Sequence, residues 1–359
     1  MKKIKNTEKF NNMPKHALLF DIETTGLSAR SAGVYLIGAA YQKDDSIVLE
    51  QFFADSLQEE SEVISEFQKL ANEFDSLISY NGTGFDLPFL KNRMEKLGIE
   101  DSISGKKQED LYRKIHSYKH IFHLKDYKQK TVEEFLGIQR KEDQSTGGEL
   151  IPVYKEYVKQ NKNALLSMLL NHNYEDLLGL ASLLSLKDID VIWQGGFTPI
   201  SCRCTPYQKL DGQMGLECSI VCRLDIPFPV TCSCKNDLFY LHISKGQIYL
   251  QCPVYEGSLK YFYPNYKDYY YLPGEDMAIH KSVASFVDKT HRVKATATNC
   301  YQKKTGRFLP QYGTIETPAF YQAYKDAVSY FEWQEEYESS PERLKSYCIH
   351  MLETLRQGI

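Results

Sequence analysis

The stretch Ala17-Leu18-Leu19-Phe20-Asp21-Ile22-Glu23-Thr24-Thr25-Gly26-Leu27 decides the fold, because an apolar strand ends there in two carboxylates. Side chains alternate along a strand, so Asp21 and Glu23 point to one face and Ile22 to the other. Two carboxylates on one face repel each other, and a divalent cation between them relieves the repulsion. Hard oxygen ligands favour Mg²⁺ or Mn²⁺. The stretch therefore predicts a metal site, and an ordinary exposed strand end is the alternative.

Length and composition set the broad class of protein. The chain has 359 residues, of which 42% are hydrophobic and 25% charged, as in globular proteins. This length predicts two domains. No apolar run approaches the roughly 20 residues that span a bilayer, and the N-terminus lacks a signal-peptide core, so we expect a cytoplasmic protein without a membrane partner. The net charge of −4 argues against indiscriminate coating of nucleic acid.

Residues 17–190 alternate patterns typical of strands and helices. The predicted strands are 17–22, 34–41, 46–53 and 77–80, and the predicted helices are 59–74, 87–97, 152–159 and 165–186. The first three strands form an antiparallel meander in this interpretation. The order of elements predicts an α/β domain with a mixed sheet.

Two further segments carry residues suited to a site. Asp86 ends the polar stretch that begins at Asn81, where a predicted strand meets a predicted helix. His172 and Asp176 are four residues apart, so they share one face of a helix.

Together, three segments resemble the exonuclease motifs of the DEDD superfamily, which has a ribonuclease H-like fold. The segments are Phe-Asp-Ile-Glu-Thr-Thr-Gly-Leu at 20–27, Tyr-Asn-Gly-x-x-Phe-Asp at 80–86 and His-Asn-x-x-Asp at 172–176. The chain is similar to the bacterial YprB-like branch, through Lys-Thr-Val-Glu-Glu-Phe-Leu-Gly at 130–137 and the His-Asn form of motif three. The resemblance covers roughly residues 15–190, and three ordered motifs are far more specific than one.

The resemblance implies a metal-dependent 3′→5′ exonuclease acting on single-stranded DNA or RNA. It implies that Asp21, Glu23, Asp86 and Asp176 bind two Mg²⁺ or Mn²⁺ ions and that His172 is the general base. Two such ions about 4 Å apart can activate water and stabilise the leaving oxyanion, and imidazole can take a proton at neutral pH. The family places a tyrosine four residues before the last aspartate or a histidine five before it, whereas here a histidine stands four before.

Other residues are candidates for contact with the substrate. Thr24 and Asn81 lie in the motif loops, and Leu27 can wedge against a terminal base, as a leucine does in similar enzymes. Lys125 and Lys128 belong to a basic cluster that can follow a phosphate backbone. Loop structure or a solvated surface is the alternative for each of them.

The second half of the chain has a different pattern. We expect an N-terminal tail at 1–16, the ribonuclease H-like domain at 17–190, a linker at 191–206, a β-rich accessory domain at 207–335 and a C-terminal helix at 336–359. Strands are predicted at 279–286 and 292–298, and a helical pattern begins at Pro318.

Cysteines and basic residues distinguish this second half. Eight of the nine cysteines lie between Cys202 and Cys300, and spacings such as Cys-x-Cys suit buried thiols on strands better than a structural Zn²⁺ site. Residues 280–310 carry seven lysines and arginines with Phe286, Tyr301 and Phe308 among them. That mixture can bind single-stranded nucleic acid, and a solvated strand face is the alternative.

Three other functions stay open at this stage. They are a non-catalytic nucleic-acid-binding module, a phosphohydrolase of small nucleotides and an endonuclease on structured nucleic acid. The complete set of carboxylates argues against the first, and the large second domain argues against the second. Circular substrates would distinguish the third.

Overall fold

The computed structural model describes residues 1–10, 13–140, 147–208, 211–334, 337 and 340–359. The chain divides into two compact units. The first comprises Met1–Lys119 and His123–Asp188, and the second comprises His120–Phe122 and Ile189–Ile359. Among the described residues, none of the helices combines the length and the apolar character needed to traverse a bilayer.

A mixed sheet forms the centre of the first unit. Its strands are β1 (Lys2–Lys9), β2 (Ala17–Thr24), β3 (Val34–Lys43), β4 (Ser46–Phe53), β5 (Ser76–Ser79) and β6 (Lys107–Asp110). The strand order is β1-β4-β3-β2-β5-β6. The first four strands pair antiparallel, whereas β5 runs parallel to β2 and β6 runs parallel to β5. Strand β2 is central and covered on both faces, which explains its nearly continuous apolar run.

Helices cover both faces of this sheet. They are α1 (Glu60–Ala71), α2 (Asp86–Leu97), α3 (Leu111–His116), α5 (Gln129–Phe135), α6 (Gly147–Gln160) and α7 (Asn163–Leu183). Helix α4 (Lys119–Phe122) follows α3 in the chain, and its residues His120–Phe122 belong to the second unit. Phe20 of β2 packs on the side of α1 and α2, in one core with Phe67 and Leu90. On the opposite side, Tyr35 of β3 packs in a second core with Tyr154 of α6 and Leu169 of α7. Residues of β2 that do not face α1 and α2 therefore face α7.

The second unit is mostly β-structure. Its strands are β7 (Phe197–Gln208), β8 (Met214–Leu224), β9 (Cys232–Lys235), β10 (Tyr240–Ser244), β11 (Gln247–Phe262), β12 (Tyr269–Leu272), β13 (Met277–His280), β14 (Val293–Lys294), β15 (Tyr301–Tyr312) and β16 (Val328–Glu332). Its helices are α8 (Ile189–Trp193), α9 (Lys281–Ala284) and α10 (Pro341–Gln357). The long strand β11 pairs with β8 and β10 through its first half and with β15 through its second half.

The predicted fold class is confirmed. A mixed sheet flanked by helices is followed by a mostly β unit with a C-terminal helix. One detail of the prediction was wrong. More than one C-terminal helix was expected, but the segment that begins at Pro318 does not form a helix. Phe320 instead forms an isolated bridge with Tyr330 of β16. Its ring packs against Phe308, so aromatic residues at helical spacing are explained by a β core.

The N-terminal tail predicted for residues 1–16 is wrong for Lys2–Lys9, which form β1 along the edge of the sheet. This strand is mostly exposed and lacks the apolar alternation by which a strand is recognised. Its lysines contact an acid of the neighbouring strand instead, with Lys3 and Lys5 at 3.0 and 2.7 Å from Glu50. Charges on an edge strand also discourage pairing with another chain.

The linker predicted at 191–206 is also wrong, since β7 occupies most of it. Gly195-Gly196 and Pro199 suggested a linker. Among the described strands, however, β7 pairs only with β8, and a proline such as Pro199 is tolerated on such an edge. The strand predicted at 279–286 ends at His280, whose side chain caps α9. The strand predicted at 292–298 is reduced to Val293–Lys294.

Candidate active site

The two acids of β2 face helix α7, as strand alternation predicts. Asp21 Oδ2 accepts a hydrogen bond of 2.9 Å from Asn173 Nδ2. Glu23 Oε1 lies 3.4 Å from His172 Nε2. Between them, Ile22 belongs to the core on the opposite face. The alternation of one short strand thus separates a polar site from the apolar interior.

Asp86 reaches the same strand from α2. Its Oδ1 accepts a hydrogen bond of 3.2 Å from the backbone N–H of Ile22. The loop before it is held by Asp110 at the end of β6, which accepts hydrogen bonds from the N–H groups of Asn81 (2.8 Å) and Thr83 (3.1 Å). The parallel pairing of β2, β5 and β6 brings all these strand ends to one edge.

Helix α7 supplies the remaining predicted residues. His172 Nε2 lies 3.2 Å from Asp176 Oδ2, across one turn of the helix. One ligand atom each from Glu23, His172 and Asp176 falls within a mutual distance of 4.8 Å. Glu23 and His172 are buried, whereas the Asp176 side chain keeps 18% of its surface exposed. The cluster is therefore enclosed but remains open on the side of Asp176.

The electrostatics of the site reflect the crowding of negative charge. Burial, followed by the charges of Asp176, Glu23 and Asp86, raises the pKa of Asp21 well above its usual value. Burial likewise raises the pKa of Asp86 to about 7, against backbone hydrogen bonds that lower it. Both shifts mean that the charged carboxylates are costly in this arrangement. Divalent cations would offset that cost.

The donor atoms fit such cations. Carboxylate oxygens suit Mg²⁺ or Mn²⁺, and these carboxylates come from separate segments that converge only in the folded chain. The residues that would hold the ions are those predicted from the motifs, namely Asp21, Glu23, Asp86 and Asp176.

A polar row beneath α7 was not foreseen from the sequence. Asp21, Gly38 and Gln51 are direct neighbours on β2, β3 and β4. Asn173 lies over this row, donates to Asp21 and accepts a hydrogen bond of 3.0 Å from Gln51 Nε2. A Cβ atom on Gly38 would fall 2.0 Å from Asn173 Oδ1. The asparagine of motif three therefore orients a predicted metal ligand, and only glycine leaves room for it.

We expect Asn173→Ala to lower the free energy of unfolding by about 1–3 kcal/mol, because Gln51 and Asp21 each lose a buried partner. Chemical denaturation of the purified protein measures this loss. Ser167→Ala, at an exposed position of the same helix, is the matched control and should leave stability nearly unchanged. Equal stability of Asn173→Ala and the wild type would contradict the role assigned to this side chain.

Three predicted substrate residues lie in the motif loops. The Thr24 hydroxyl is buried and donates to the Gly26 carbonyl at 2.9 Å, so it stabilises the turn. Leu27 is 84% exposed. Asn81 is exposed and adopts a positive φ of 62°. Leu27 also lines a cavity of about 360 Å³ together with Phe85 and Pro88. Phe85 directly precedes Asp86 in the chain.

The two predicted lysines lie on the surface. Lys125 is 3.4 Å from Glu134, and Lys128 precedes α5, with its N–H donating to Asp126. Among the residues that the structure describes, neither lysine shares a hydrogen bond or an ion pair with the four carboxylates.

Part of the positive charge in segment 280–310 of the second unit is paired with acids. Lys303 contacts Asp276, and two further basic residues of the segment lie 2.6 and 2.8 Å from an acidic side chain. Those two pairs are Lys304–Glu332 and Arg307–Glu256. These acids come from other strands and hairpins, so the positive charge of these three residues is offset by partners outside the segment.

The cysteines of this unit are mostly buried thiols. Cys202 and Cys218 Sγ atoms are 3.6 Å apart, and those of Cys222 and Cys348 are 3.8 Å apart. Burial raises the pKa of Cys232 to about 12, chiefly through loss of solvation. Such thiols stay protonated and pack as small apolar groups.

Comparison with known proteins identifies the class of the first unit. Residues 18–186 match a family model of the RNase H superfamily. The first unit is thus an RNase H-like domain, as its motifs predicted. More particularly, it is similar to the uncharacterized protein YprB of Bacillus subtilis, with 33% identity over 171 residues. That match covers 46% of this chain and 40% of YprB, so the chain spans less than half of the relative's length.

Two further similarities involve DNA polymerases. A DNA polymerase of Thermococcus aggregans is 32% identical over 108 residues, which cover 28% of this chain and 6% of the polymerase. The structure of a family B DNA polymerase from Pyrobaculum calidifontis matches with a TM-score of 0.40 and 21% identity, over 51% of this chain and 25% of that one.

Proposed function

We propose that the first unit is a metal-dependent nuclease that hydrolyses phosphodiester bonds, acting as a 3′→5′ exonuclease on single-stranded DNA or RNA. The convergence of Asp21, Glu23, Asp86 and Asp176 beside His172 carries this proposal. A buried cluster of four carboxylates is unfavourable in itself, so its presence calls for a function that uses the concentrated negative charge.

In this proposal the carboxylates bind the metal ions and His172 accepts a proton. Two bound divalent ions would supply an activated water molecule and charge stabilisation for the phosphate. The four carboxylates hold their positions because β2, α2 and α7 are each packed in a core. His172 takes up the proton of the attacking water. The position of its Nε2, 3.4 Å from Glu23 Oε1 and 3.2 Å from Asp176 Oδ2, supports this role, because both acids are proposed metal ligands.

Features beside the carboxylates support a nucleic-acid substrate. The cavity of about 360 Å³ is lined by Leu27, Phe85 and Pro88, whose apolar surfaces suit the face of a terminal base. Leu27 is strongly exposed without any role in the core, which suits a side chain that contacts substrate. The similarity to part of a DNA polymerase agrees with a substrate of this class.

The direct test is a cleavage assay on end-labelled, single-stranded DNA and RNA with Mn²⁺ or Mg²⁺. We expect stepwise shortening from the 3′ end that stops on addition of EDTA, because the carboxylates act through divalent ions. A 5′ label reveals a ladder of products, and a 3′ label reveals release of single nucleotides. These two labels together fix the polarity.

Matched substrates separate the other functions. Cleavage of a circular single strand would show an endonuclease, and hydrolysis of dinucleotides in preference to longer strands would show a small-nucleotide phosphohydrolase. Binding that persists in EDTA without any cleavage of any substrate would contradict the proposal and show a non-catalytic binding module.

A further inference from the structure

A buried arginine adjoins the candidate metal site. The guanidinium of Arg140 lies 2.6 Å from Asp176 through Nη1, and its side chain is only 8% exposed. Its other two nitrogens form a two-pronged contact with Glu133, from Nε to Oε2 (2.7 Å) and from Nη2 to Oε1 (2.8 Å). Burial works against the charge of this group, but Glu133 and Asp176 raise the pKa of Arg140 above its usual range.

Glu133, which binds the guanidinium of Arg140, is itself held by further contacts. Glu133 is 1% exposed and accepts a hydrogen bond of 2.9 Å from Gln129 Nε2. It lies directly against α7, where a Cβ atom on Gly179 would fall 1.9 Å from Glu133 Oε1. Glycine within a helix costs about 1 kcal/mol relative to alanine, so its presence here admits the carboxylate. The pair Glu133–Arg140 is therefore a rigid support, rather than a mobile surface ion pair.

The two oxygens of Asp176 face different partners. Oδ1 contacts Nη1 of Arg140. Oδ2 points to His172 and thus to the atoms that cluster with Glu23. A planar guanidinium fixed on Glu133 permits one orientation of the carboxylate, because both its position and its hydrogen-bond direction are set. Without that contact the carboxylate would keep its contact with His172 through Oδ2 but would lose the partner that fixes Oδ1.

We propose that Arg140, anchored on Glu133, is a positioning residue that orients Asp176 so that Oδ2 is presented to the divalent ion. This inference rests on the proposed function, since it takes Asp176 as a metal ligand. Groups that bond the ligands of a metal typically change its affinity tenfold to a hundredfold when removed. An alternative role is that the guanidinium competes with the cation for Asp176. The two roles make opposite predictions, because removal of Arg140 weakens metal binding in the first case and does not weaken it in the second.

The test measures Mn²⁺ affinity by calorimetry on the full-length protein, without substrate. Arg140→Gln is expected to raise the Mn²⁺ dissociation constant by about tenfold to a hundredfold. Arg140→Lys keeps the charge but loses the planar fork, so it should give an intermediate loss. Arg356→Gln, in a surface pair with Glu353 at 2.8 Å, is the matched control and should bind Mn²⁺ like the wild type.

Chemical rescue provides a second readout that a purely structural role would not give. Arg140 and Glu133 line a cavity of about 470 Å³, from which a small ion can reach the space left by Arg140→Ala. Guanidinium at concentrations too low to unfold the protein should restore part of the Mn²⁺ affinity of this variant. It should not change the affinity of the wild type.

The outcomes separate the inference from the proposed function. Equal or tighter Mn²⁺ binding by Arg140→Gln would overturn the inference and favour competition between the guanidinium and the cation. Wild-type protein that binds Mn²⁺ but cleaves no substrate would contradict the proposed function, and the comparison of affinities would still decide the role of Arg140. Wild-type protein that binds no Mn²⁺ would overturn both. If Arg140→Gln does not fold, Arg140→Lys and the guanidinium rescue decide the question.

Discussion

Asp21→Asn and Asp176→Asn are each expected to lower the rate of metal-dependent cleavage on the order of a thousand-fold, as loss of a central catalytic group does in other enzymes. Asparagine keeps the shape of the side chain and an acceptor oxygen, but it removes a negative charge from the four-carboxylate cluster. Initial rates on an end-labelled strand, at saturating Mn²⁺, measure the loss. Asp188→Asn, at a position whose side chain is 60% exposed, is the control and should cleave normally.

The same two variants should differ in stability, which separates loss of chemistry from loss of fold. In EDTA, Asp21→Asn should melt at or above the wild-type temperature, because a neutral amide avoids both causes of the raised pKa of Asp21, namely burial of the charge and repulsion by the neighbouring carboxylates. Asp176→Asn should melt lower, because it leaves Arg140 with one partner fewer in a buried position. Near wild-type cleavage by either variant would contradict the mechanism.

Gly38→Ala is expected to have the largest effect on the fold of the first unit. The added methyl group would lie 2.0 Å from Asn173 Oδ1 and 2.7 Å from Leu177 Cδ1, so both side chains must be displaced. Because both are buried against the sheet or its neighbours, we expect α7 to move away from the sheet with them. Overpacking of this kind costs about 3 kcal/mol, and the displacement also carries Asp176 and His172 away from β2. Denaturation and cleavage rates should therefore both fall.

Gly105→Ala is the matched control, because a Cβ atom there meets no neighbour within 4 Å. The double variant Gly38→Ala/Asn173→Ala should regain part of the stability lost by Gly38→Ala, since the closest clash is removed. It should not regain activity, because Asp21 has lost the hydrogen bond that orients it. Additive losses of stability in the double variant would show that the clash is not with Asn173.

The sequence was most informative where a local pattern has one physical meaning. In β2, alternation alone places Asp21 and Glu23 opposite Ile22, and the structure has this arrangement. The four-residue spacing of His172 and Asp176 likewise placed them on one face of a helix. The roles assigned to these residues in metal binding and catalysis stay predictions.

The sequence misled where the signal depends on partners that are distant in the chain. Lys2–Lys9 looked like a tail because its contacts, such as Lys5 with Glu50, come from another strand. The basic run after residue 280 looked unpaired because the acid that meets Lys304, Glu332, lies 28 residues away. The charge of a segment can be read from its sequence. Whether that charge is neutralised depends on which acidic residues the tertiary structure brings next to it.

By itself, then, the sequence determined the RNase H-like class of the first unit and the set of acids that strand and helix periodicity bring to common faces. Only the tertiary structure decided how those acids are held. Asn173 reaches across three strands to Asp21 and Gln51, above a Gly38 that leaves it room. Arg140 joins a loop to α7 in the same way. Periodicity specifies the face on which a side chain lies, but the atom that it contacts depends on how separate elements pack together.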